Sequence, residues 1–130
     1  MKKIKLLVTM RDIAAAAHLA QVVRVARFDN RFDVRVLAQK PASSFLEAEG
    51  ITHVSLDLPS ASSPESEAAT ELLEIARREL IKYPCDVVLA GLSTPIDGGI
   101  DEAMLATASV PTFLFQDFWG EQNRFFGKGA

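Results

Sequence analysis

A run of small residues, Gly91-Leu-Ser-Thr-Pro95, follows an apolar segment and could bind a ligand. The hydroxyls of Ser93 and Thr94, with the nearby backbone N–H groups, are donors of the kind that hold an anion or a sugar hydroxyl. The same residues also fit an ordinary turn into a helix whose first turn carries Asp101 and Glu102, two acids that favour a helix start. Both readings remain open on the sequence alone.

Two further segments carry side chains that could share a crevice with these hydroxyls. Arg11 and Asp12 follow the first predicted strand, and Asp117 and Trp119 follow the last. Because the carboxyl ends of parallel strands meet at one edge of a sheet, we expect all three segments there, with Arg11 countering anionic charge. The predicted ligand-binding residues are Arg11, Asp12, Ser93, Thr94, Asp117 and Trp119.

Metal binding and nucleophilic catalysis are not indicated, and no catalytic residue is assigned. The two histidines, His18 and His53, fall on different predicted elements, and Cys85 has no neighbouring histidine. We expect His18 on a solvated helix face, His53 at a strand end and Cys85 as a structural thiol. Ser93 lacks the G-x-S-x-G elbow and precedes no histidine, which excludes a hydrolase triad in the usual order.

Common cofactor and phosphate sites are not predicted either. The first strand-to-helix turn, residues 9–13, lacks the glycines that let a backbone approach a pyrophosphate, and the Walker pattern is absent. Asp12 and Asp57 fit a phospho-acceptor domain by position. That class, however, expects a lysine after the last strand, where this chain has Gln116-Asp117. We therefore predict no bound cofactor.

The elements that would position these residues are predicted from hydrophobic periodicity. Apolar strand-like segments alternate with amphipathic helices along the whole chain. The predicted strands are residues 3–9, 32–38, 52–56, 86–91 and 111–115, and the predicted helices are residues 11–28, 44–49, 64–82 and 100–108.

Helix starts are predicted from capping patterns. Residues 9–12 (Thr to Asp) and 44–47 (Ser to Glu) have the three-residue spacing of a capping box. Ser63-Pro64 places a capping hydroxyl before a proline at the first helical position. Gly50 supplies a left-handed stop for the second helix.

Strict alternation of strands and helices predicts a parallel sheet with helices on both faces, because parallel neighbours need a helical return across the sheet. The predicted fold is α/β, a three-layer Rossmann-like domain with a parallel five-stranded sheet in the order 3-2-1-4-5. A flavodoxin-like order, 2-1-3-4-5, is the alternative. Both orders reverse beside the first strand, where ligands bind.

Composition sets the class of protein. A chain of 130 residues with 48% hydrophobic residues is sufficient for one domain with a buried core. A net charge of −3 with scattered basic residues argues against nucleic-acid binding. The apolar run after Met1 is too short and too charged for a signal peptide or membrane span, and a single cysteine fits a reducing compartment. We expect a cytoplasmic protein.

The last part of the chain is rich in aromatic residues. Residues 1–116 are predicted to form the domain, and residues 117–130 an aromatic tail carrying Phe118, Trp119, Phe125 and Phe126. Exposed aromatic side chains at this density usually pack against something. The candidates are a return over the domain's own surface, a homodimer contact, or a second half domain.

A resemblance to a known family rests on residues 91–125. Gly91-Leu-Ser-Thr-Pro, Asp101-Glu-Ala-Met-Leu, Val110-Pro-Thr, Gln116-Asp-Phe-Trp-Gly and Asn123-Arg-Phe resemble the N-terminal half of GT-B-like proteins, which include glycosyltransferases and relatives of UDP-sugar 2-epimerases. The resemblance implies a half domain that helps to bind an acceptor, while a second Rossmann-like half makes most nucleotide-sugar contacts. Transferase or epimerase activity would then require that second half.

Two functional hypotheses follow. In the first, the chain is a GT-B-like half domain that binds a sugar or nucleotide sugar at the carboxyl ends of the first, fourth and fifth strands. In the second, it is a non-catalytic module that binds a small ligand or another protein through its aromatic tail.

Overall fold

The computed structural model describes residues 2–92 and 97–116. Within them, strands and helices alternate along the chain, as the hydrophobic pattern predicts. The strands are β1 (Ile4–Met10), β2 (Phe32–Ala38), β3 (Val54–Ser55), β4 (Val87–Gly91) and β5 (Thr112–Phe115). The helices are α1 (Ile13–Phe28), α2 (Ala42–Ala48), α3 (Glu67–Lys82) and α4 (Ile100–Thr107).

The five strands form one parallel sheet in the order β3-β2-β1-β4-β5. The predicted 3-2-1-4-5 order is thus confirmed, and the flavodoxin-like alternative is wrong. In the register, Val8 of β1 lies opposite Val36 of β2 and Leu89 of β4. The connection from β3 to β4 crosses the sheet, so the chain changes direction beside β1.

Each sheet face carries its own hydrophobic core, which gives the predicted three layers. One core joins α1 and α2 to the sheet through residues such as Leu19, Val36 and Leu46. The other joins α3 and α4 to the opposite face through residues such as Leu72, Val88 and Met104. Because both faces are covered, the central strands are apolar along nearly their whole length.

Gly91, the last residue of β4, sets how closely α1 approaches the sheet. A Cβ atom built on Gly91 would lie 2.8 Å from the Cβ of Ala15 and 3.1 Å from Cδ1 of Leu19, both on α1. Two small residues, one on the strand and one on the helix, therefore allow this contact. A larger residue at either position would push the helix away from the sheet.

The predicted helix starts need three corrections. Asp12 caps α1 without a side-chain hydrogen bond, and the Thr9 hydroxyl bonds elsewhere. Helix α2 begins two residues before Ser44, after Pro41. Helix α3 is capped by Ser66, whose hydroxyl accepts a hydrogen bond from the Ala69 amide. The predicted capping residues Thr9, Ser44 and Ser63 are therefore wrong, and the N-caps are Asp12, Pro41 and Ser66.

The predicted stop of the second helix is confirmed. Gly50 has a φ of 70°, the left-handed conformation expected at the end of α2. None of the helices in the described ranges is long and apolar enough to cross a membrane.

Candidate functional site

The carboxyl edge of the sheet, where the strands end, brings together segments that are distant in sequence. The Gln39 amide donates to the Met10 carbonyl, which joins the ends of β2 and β1. The Leu92 amide donates to the Phe115 carbonyl, which joins the ends of β4 and β5. The described residues that flank the predicted ligand-binding segments thus lie at one edge, as parallel strands require.

Arg11 lies at this edge but points into the protein. Only 5% of its surface is exposed. Its guanidinium Nη1 donates to Oδ1 of Asp97 at 2.6 Å and to the Ser60 hydroxyl at 2.8 Å, and Nη2 lies 3.4 Å from Oε1 of Glu102. Asp97 and Glu102 thus already balance the positive charge that was predicted to counter an anionic ligand.

Burial and ion pairing act in opposite directions on Arg11. Desolvation lowers its pKa, whereas the hydrogen bond to Asp97 and the charges of Glu102, Asp97 and Asp101 raise it, and the net shift is upward. The guanidinium is therefore charged at neutral pH.

Asp101 is a buried acid beneath Arg11. Its surface is 0% exposed, its Oδ1 accepts a 2.6 Å hydrogen bond from the Thr9 hydroxyl, and its Oδ2 has no hydrogen-bond partner among the described residues. Burial, and then the charge of Glu102, raise the pKa of Asp101 well above its ordinary value of 3.8, although Thr9 and Arg11 favour the charged form. Asp101 therefore tends to stay protonated.

The amino end of α4 is tied down by side chains. The Gly99 amide donates to Oε1 of Glu102 at 2.7 Å, and the Ile100 amide donates to Oε1 of Gln39 at 2.6 Å. A Cβ on Gly99 would lie 2.6 Å from both Cδ of Arg11 and Oε1 of Gln39, so a larger residue would displace these two side chains. Because these two amides have acceptors within the protein, they are not available to a phosphate.

The loop between β3 and α3 is fastened to the same edge. The Leu58 carbonyl accepts a hydrogen bond from Nε2 of Gln39, and the Ser60 hydroxyl accepts one from Arg11. Ala61 and Gly98 exchange two backbone hydrogen bonds, of 2.7 and 3.0 Å, in an isolated antiparallel bridge. The loop, β1, β2 and α4 thus form one bonded layer, which we call the edge network: Thr9, Arg11, Gln39, Ser60, Asp97, Asp101 and Glu102.

The structure locates two of the six predicted ligand-binding residues. Arg11 belongs to the edge network, and Asp12, half-buried at the start of α1, lies next to it. Ser93, Thr94, Asp117 and Trp119 lie outside the described residues, as do Phe118, Phe125 and Phe126 of the tail. Their flanking residues, Leu92 and Gln116, lie at the carboxyl edge.

Three edge residues were missed by reasoning from the sequence. Thr9 was assigned to a helix cap, Gln39 was not singled out, and Asp101 was treated only as a residue that favours a helix start. The one available signal was the position of Thr9 and Gln39 at the ends of two buried strands, where side chains face the ligand edge. The prediction for Glu102 holds, since its carboxylate does cap α4.

The histidines and the cysteine lie where the sequence places them. His18 is exposed on α1, with its ring 5.1 Å from that of Phe115. Nδ1 of His53 lies 2.8 Å from the Ile51 carbonyl, just before β3. Cys85 is a buried free thiol, and burial raises its pKa. The described residues contain no cluster of three or more metal-binding side chains.

The described part of this edge combines a charge-balanced arginine with carboxylates near solvent. The charge of Arg11 is balanced by Asp97 and Glu102, which weakens any attraction for a diphosphate. Asp12 is half-buried, and the Asp97 side chain is 42% exposed, so both carboxylates reach solvent. Carboxylate oxygens accept hydrogen bonds from sugar hydroxyls.

The protonation of Asp101 gives a testable pH dependence. A carboxyl group whose pKa is higher in the folded than in the unfolded chain binds more protons when the chain is folded. The free energy of unfolding therefore falls as pH rises from about 3.8 towards the raised pKa of Asp101. We expect Asp101→Asn, which mimics the protonated acid and still accepts from Thr9, to be more stable than the parent protein at neutral pH. The difference should shrink on acidification, measured by urea unfolding across pH.

A matched variant separates charge from packing in this experiment. Asp101→Ala also removes the charge but leaves the Thr9 hydroxyl without its acceptor, so it should not gain stability as Asp101→Asn does. Equal stability of Asp101→Asn and the parent protein at every pH would show that Asp101 is not held in its neutral form.

Solved structures of nucleotide-sugar enzymes share this fold. The UDP-GlcNAc 2-epimerase from Neisseria meningitidis, solved bound to UDP-GlcNAc, matches 86% of this chain with a TM-score of 0.68 and 17% identity. The UDP-GlcNAc 2-epimerase from Methanocaldococcus jannaschii matches 85% with a TM-score of 0.68 and 18% identity. A glycosyltransferase from Rickettsia africae matches 88% with a TM-score of 0.54 and 11% identity.

These likenesses confirm the predicted resemblance at the level of the fold. The chain spans 32%, 31% and 30% of the lengths of those three structures, so it corresponds to about a third of each. No protein-family profile matches the sequence, and no curated protein matches it by sequence.

Proposed function

We propose that this chain binds the sugar portion of a sugar or nucleotide sugar at the carboxyl edge of its sheet, as one half of a GT-B-like assembly. The observation that carries the proposal is its fold, which it shares over 86% of its length with an epimerase solved bound to UDP-GlcNAc. The proposed ligand-binding residues are Asp12, Ser93, Thr94, Asp97, Asp117 and Trp119, and Arg11 has a positioning role.

The edge network supports a sugar over a diphosphate as the group bound here. Two amides at the start of α4 already have acceptors, and Arg11 is paired with Asp97 and Glu102. Asp12 and Asp97 would instead accept hydrogen bonds from sugar hydroxyls, and Trp119 would stack on the apolar face of a sugar ring. In this proposal Arg11 positions Asp97 and does not contact phosphate.

Catalysis would require a second domain. Asp101 is the described acid with a strongly raised pKa, but it is fully buried and bonded to Thr9, so it is placed to hold α4 and not to exchange protons with a ligand. We therefore propose transferase-like or epimerase-like activity only for this chain when a second half completes it. We also propose that the protein acts in the cytoplasm.

Calorimetric titration with UDP-GlcNAc, UDP and free N-acetylglucosamine tests the proposal. We expect UDP-GlcNAc to bind and UDP to bind much more weakly, because the sugar makes the contacts. The double variant Ser93→Ala/Thr94→Ala should weaken binding by roughly ten- to thirtyfold, since each hydrogen bond contributes on the order of 1 kcal/mol. Thr52→Ala is the control, because Thr52 is exposed at the opposite edge, just before β3.

Two results would contradict the proposal. If UDP binds as tightly as UDP-GlcNAc, the nucleotide and not the sugar is recognised. If none of the three compounds binds or raises the melting temperature, the carboxyl edge is not a sugar site in this chain.

A further inference from the structure

A patch of exposed apolar side chains lies beside α1 on the sheet face that α1 and α2 cover. Val25 is 72% exposed, Phe113 61% and Val22 43%. Phe113 projects to the same face as Phe115, because side chains two residues apart in a strand share a face, and Phe115 packs against the α1 core. Large exposed apolar patches usually mark a contact surface.

The exposed residues of α1 and β5 face each other. The His18 ring lies 5.1 Å from Phe115, so the side of α1 that carries His18 is turned towards β5. Val22 and Val25 follow His18 by four and seven residues and therefore lie on that same side of the helix. A groove of about 510 Å³ lies next to Val22 and Val25. It is lined by Leu6 of β1 and by Arg31 and Phe32 at the start of β2, and it adjoins the surface without including a residue of β5. We call Leu6, Val22, Val25, Phe113 and Phe115 the α1–β5 surface.

The topology explains why this surface is open. Helix α1 packs over β1 and β2 and reaches β4 near Leu89 and Gly91, while α3 and α4 pack on the other face. Among the described elements, none lies over β5 on the α1 side. The sheet is therefore one helix short of full cover at this edge.

We propose that residues 117–130 of the same chain fold back over the α1–β5 surface and cover it with Phe118, Trp119, Phe125 and Phe126. The segment begins beside the surface, since Gln116 directly follows Phe115. This inference concerns packing of the chain on itself in the ligand-free protein. It shares Trp119 with the proposed sugar site and otherwise does not rest on that site.

The length of the segment suits the distance. In the register of the sheet, Leu6 of β1 lies opposite Val87 of β4, and Val87 lies level with Pro111. Pro111 precedes Phe115 by four residues. The surface is therefore about 13 Å long at about 3.3 Å per residue. Fourteen residues span about 21 Å even as a helix.

Attachment favours this occupant over a second copy. A segment tethered at Gln116 contacts the surface at a high effective concentration, whereas a second molecule must associate from dilute solution. The segment also has the chemistry the surface needs, because four of its fourteen residues are large aromatics.

The only tryptophan in the chain, Trp119, reports on this contact. In the ligand-free full-length protein we expect its fluorescence to be blue-shifted and protected from iodide quenching. Val25→Ser and Phe113→Ser should each shift the emission to the red and increase quenching several-fold. Ile81→Ser is the matched control, because Ile81 is an 82% exposed β-branched residue on α3, which packs on the opposite face, and it should change neither.

Three results would overturn the proposal. One is quenching of Trp119 in the native protein that equals quenching in urea. Another is emission that Val25→Ser and Phe113→Ser leave unchanged while circular dichroism shows native helix content. The third is a blue shift that appears only as the protein dimerises with rising concentration, which would assign the surface to a second copy.

Discussion

Replacing Arg11 by methionine is expected to destabilise the protein by about 3–5 kcal/mol, the usual cost of removing one member of a buried ion pair. Methionine fills much of the same volume but offers no donor to Asp97, Glu102 or Ser60. Glu102 is the more serious loss, because its side chain is only 1% exposed and would have to remain charged without its counter-ion or take up a proton. The shift of the urea midpoint at unchanged slope measures the effect.

Two comparisons isolate the cause of that loss. Arg24→Met removes an ion pair with Glu49 in which both side chains are about 40% exposed, so it should cost less than about 1 kcal/mol. Adding Glu102→Gln to Arg11→Met should restore part of the stability, because the amide oxygen still accepts from Gly99 and no charge stays buried. If Arg11→Met costs no more than Arg24→Met, the edge network does not hold this edge together.

Gly91→Ala is expected to cost about 1–3 kcal/mol, the range for an added group in a packed interior. The new Cβ would lie 2.8 Å from the Cβ of Ala15, and neither atom can rotate away, so α1 would have to shift. Urea unfolding again measures the loss.

A double-mutant cycle tests whether the contact between Gly91 and Ala15 is the cause. Ala15→Gly alone should cost about 1 kcal/mol through helix propensity. In the double variant, removing the Ala15 methyl makes room for the new one. The loss of stability in the double variant should therefore be smaller than the sum of the two single losses by about 1 kcal/mol or more. Strict additivity would place the strain elsewhere, for example at Leu19.

The architecture could be predicted because it depends on features that repeat along the chain. Apolar strands alternate with amphipathic helices, and parallel pairing with a reversal beside the first strand follows from that alternation. Strand β2 has the predicted bounds, whereas β3 has only two residues, since Thr52 and Leu56 fall outside the ladder. Local caps were harder to predict, because Thr9 bonds to Asp101, 92 residues further on.

The candidate site was predictable in place but not in orientation. Arg11 and Asp12 lie at the carboxyl edge because they directly follow β1, which the pattern shows. That Arg11 turns inward depends on Asp97, in the loop before α4, and Glu102, in the first turn of α4. Their position next to β1 is a tertiary arrangement that no local spacing encodes. Gln39 could not be recognised for a similar reason, since both of its partners, Leu58 and Ile100, come from other segments.

The bridge between Ala61 and Gly98 has a consequence for how the protein moves. Because Arg11, Gln39 and this bridge join the loop after β3 to α4, no single segment of the edge can open without breaking bonds to the others. We therefore expect local unfolding of these bonded segments to be cooperative, with the backbone amides of Ala61, Gly98 and Ile100 exchanging their hydrogens together.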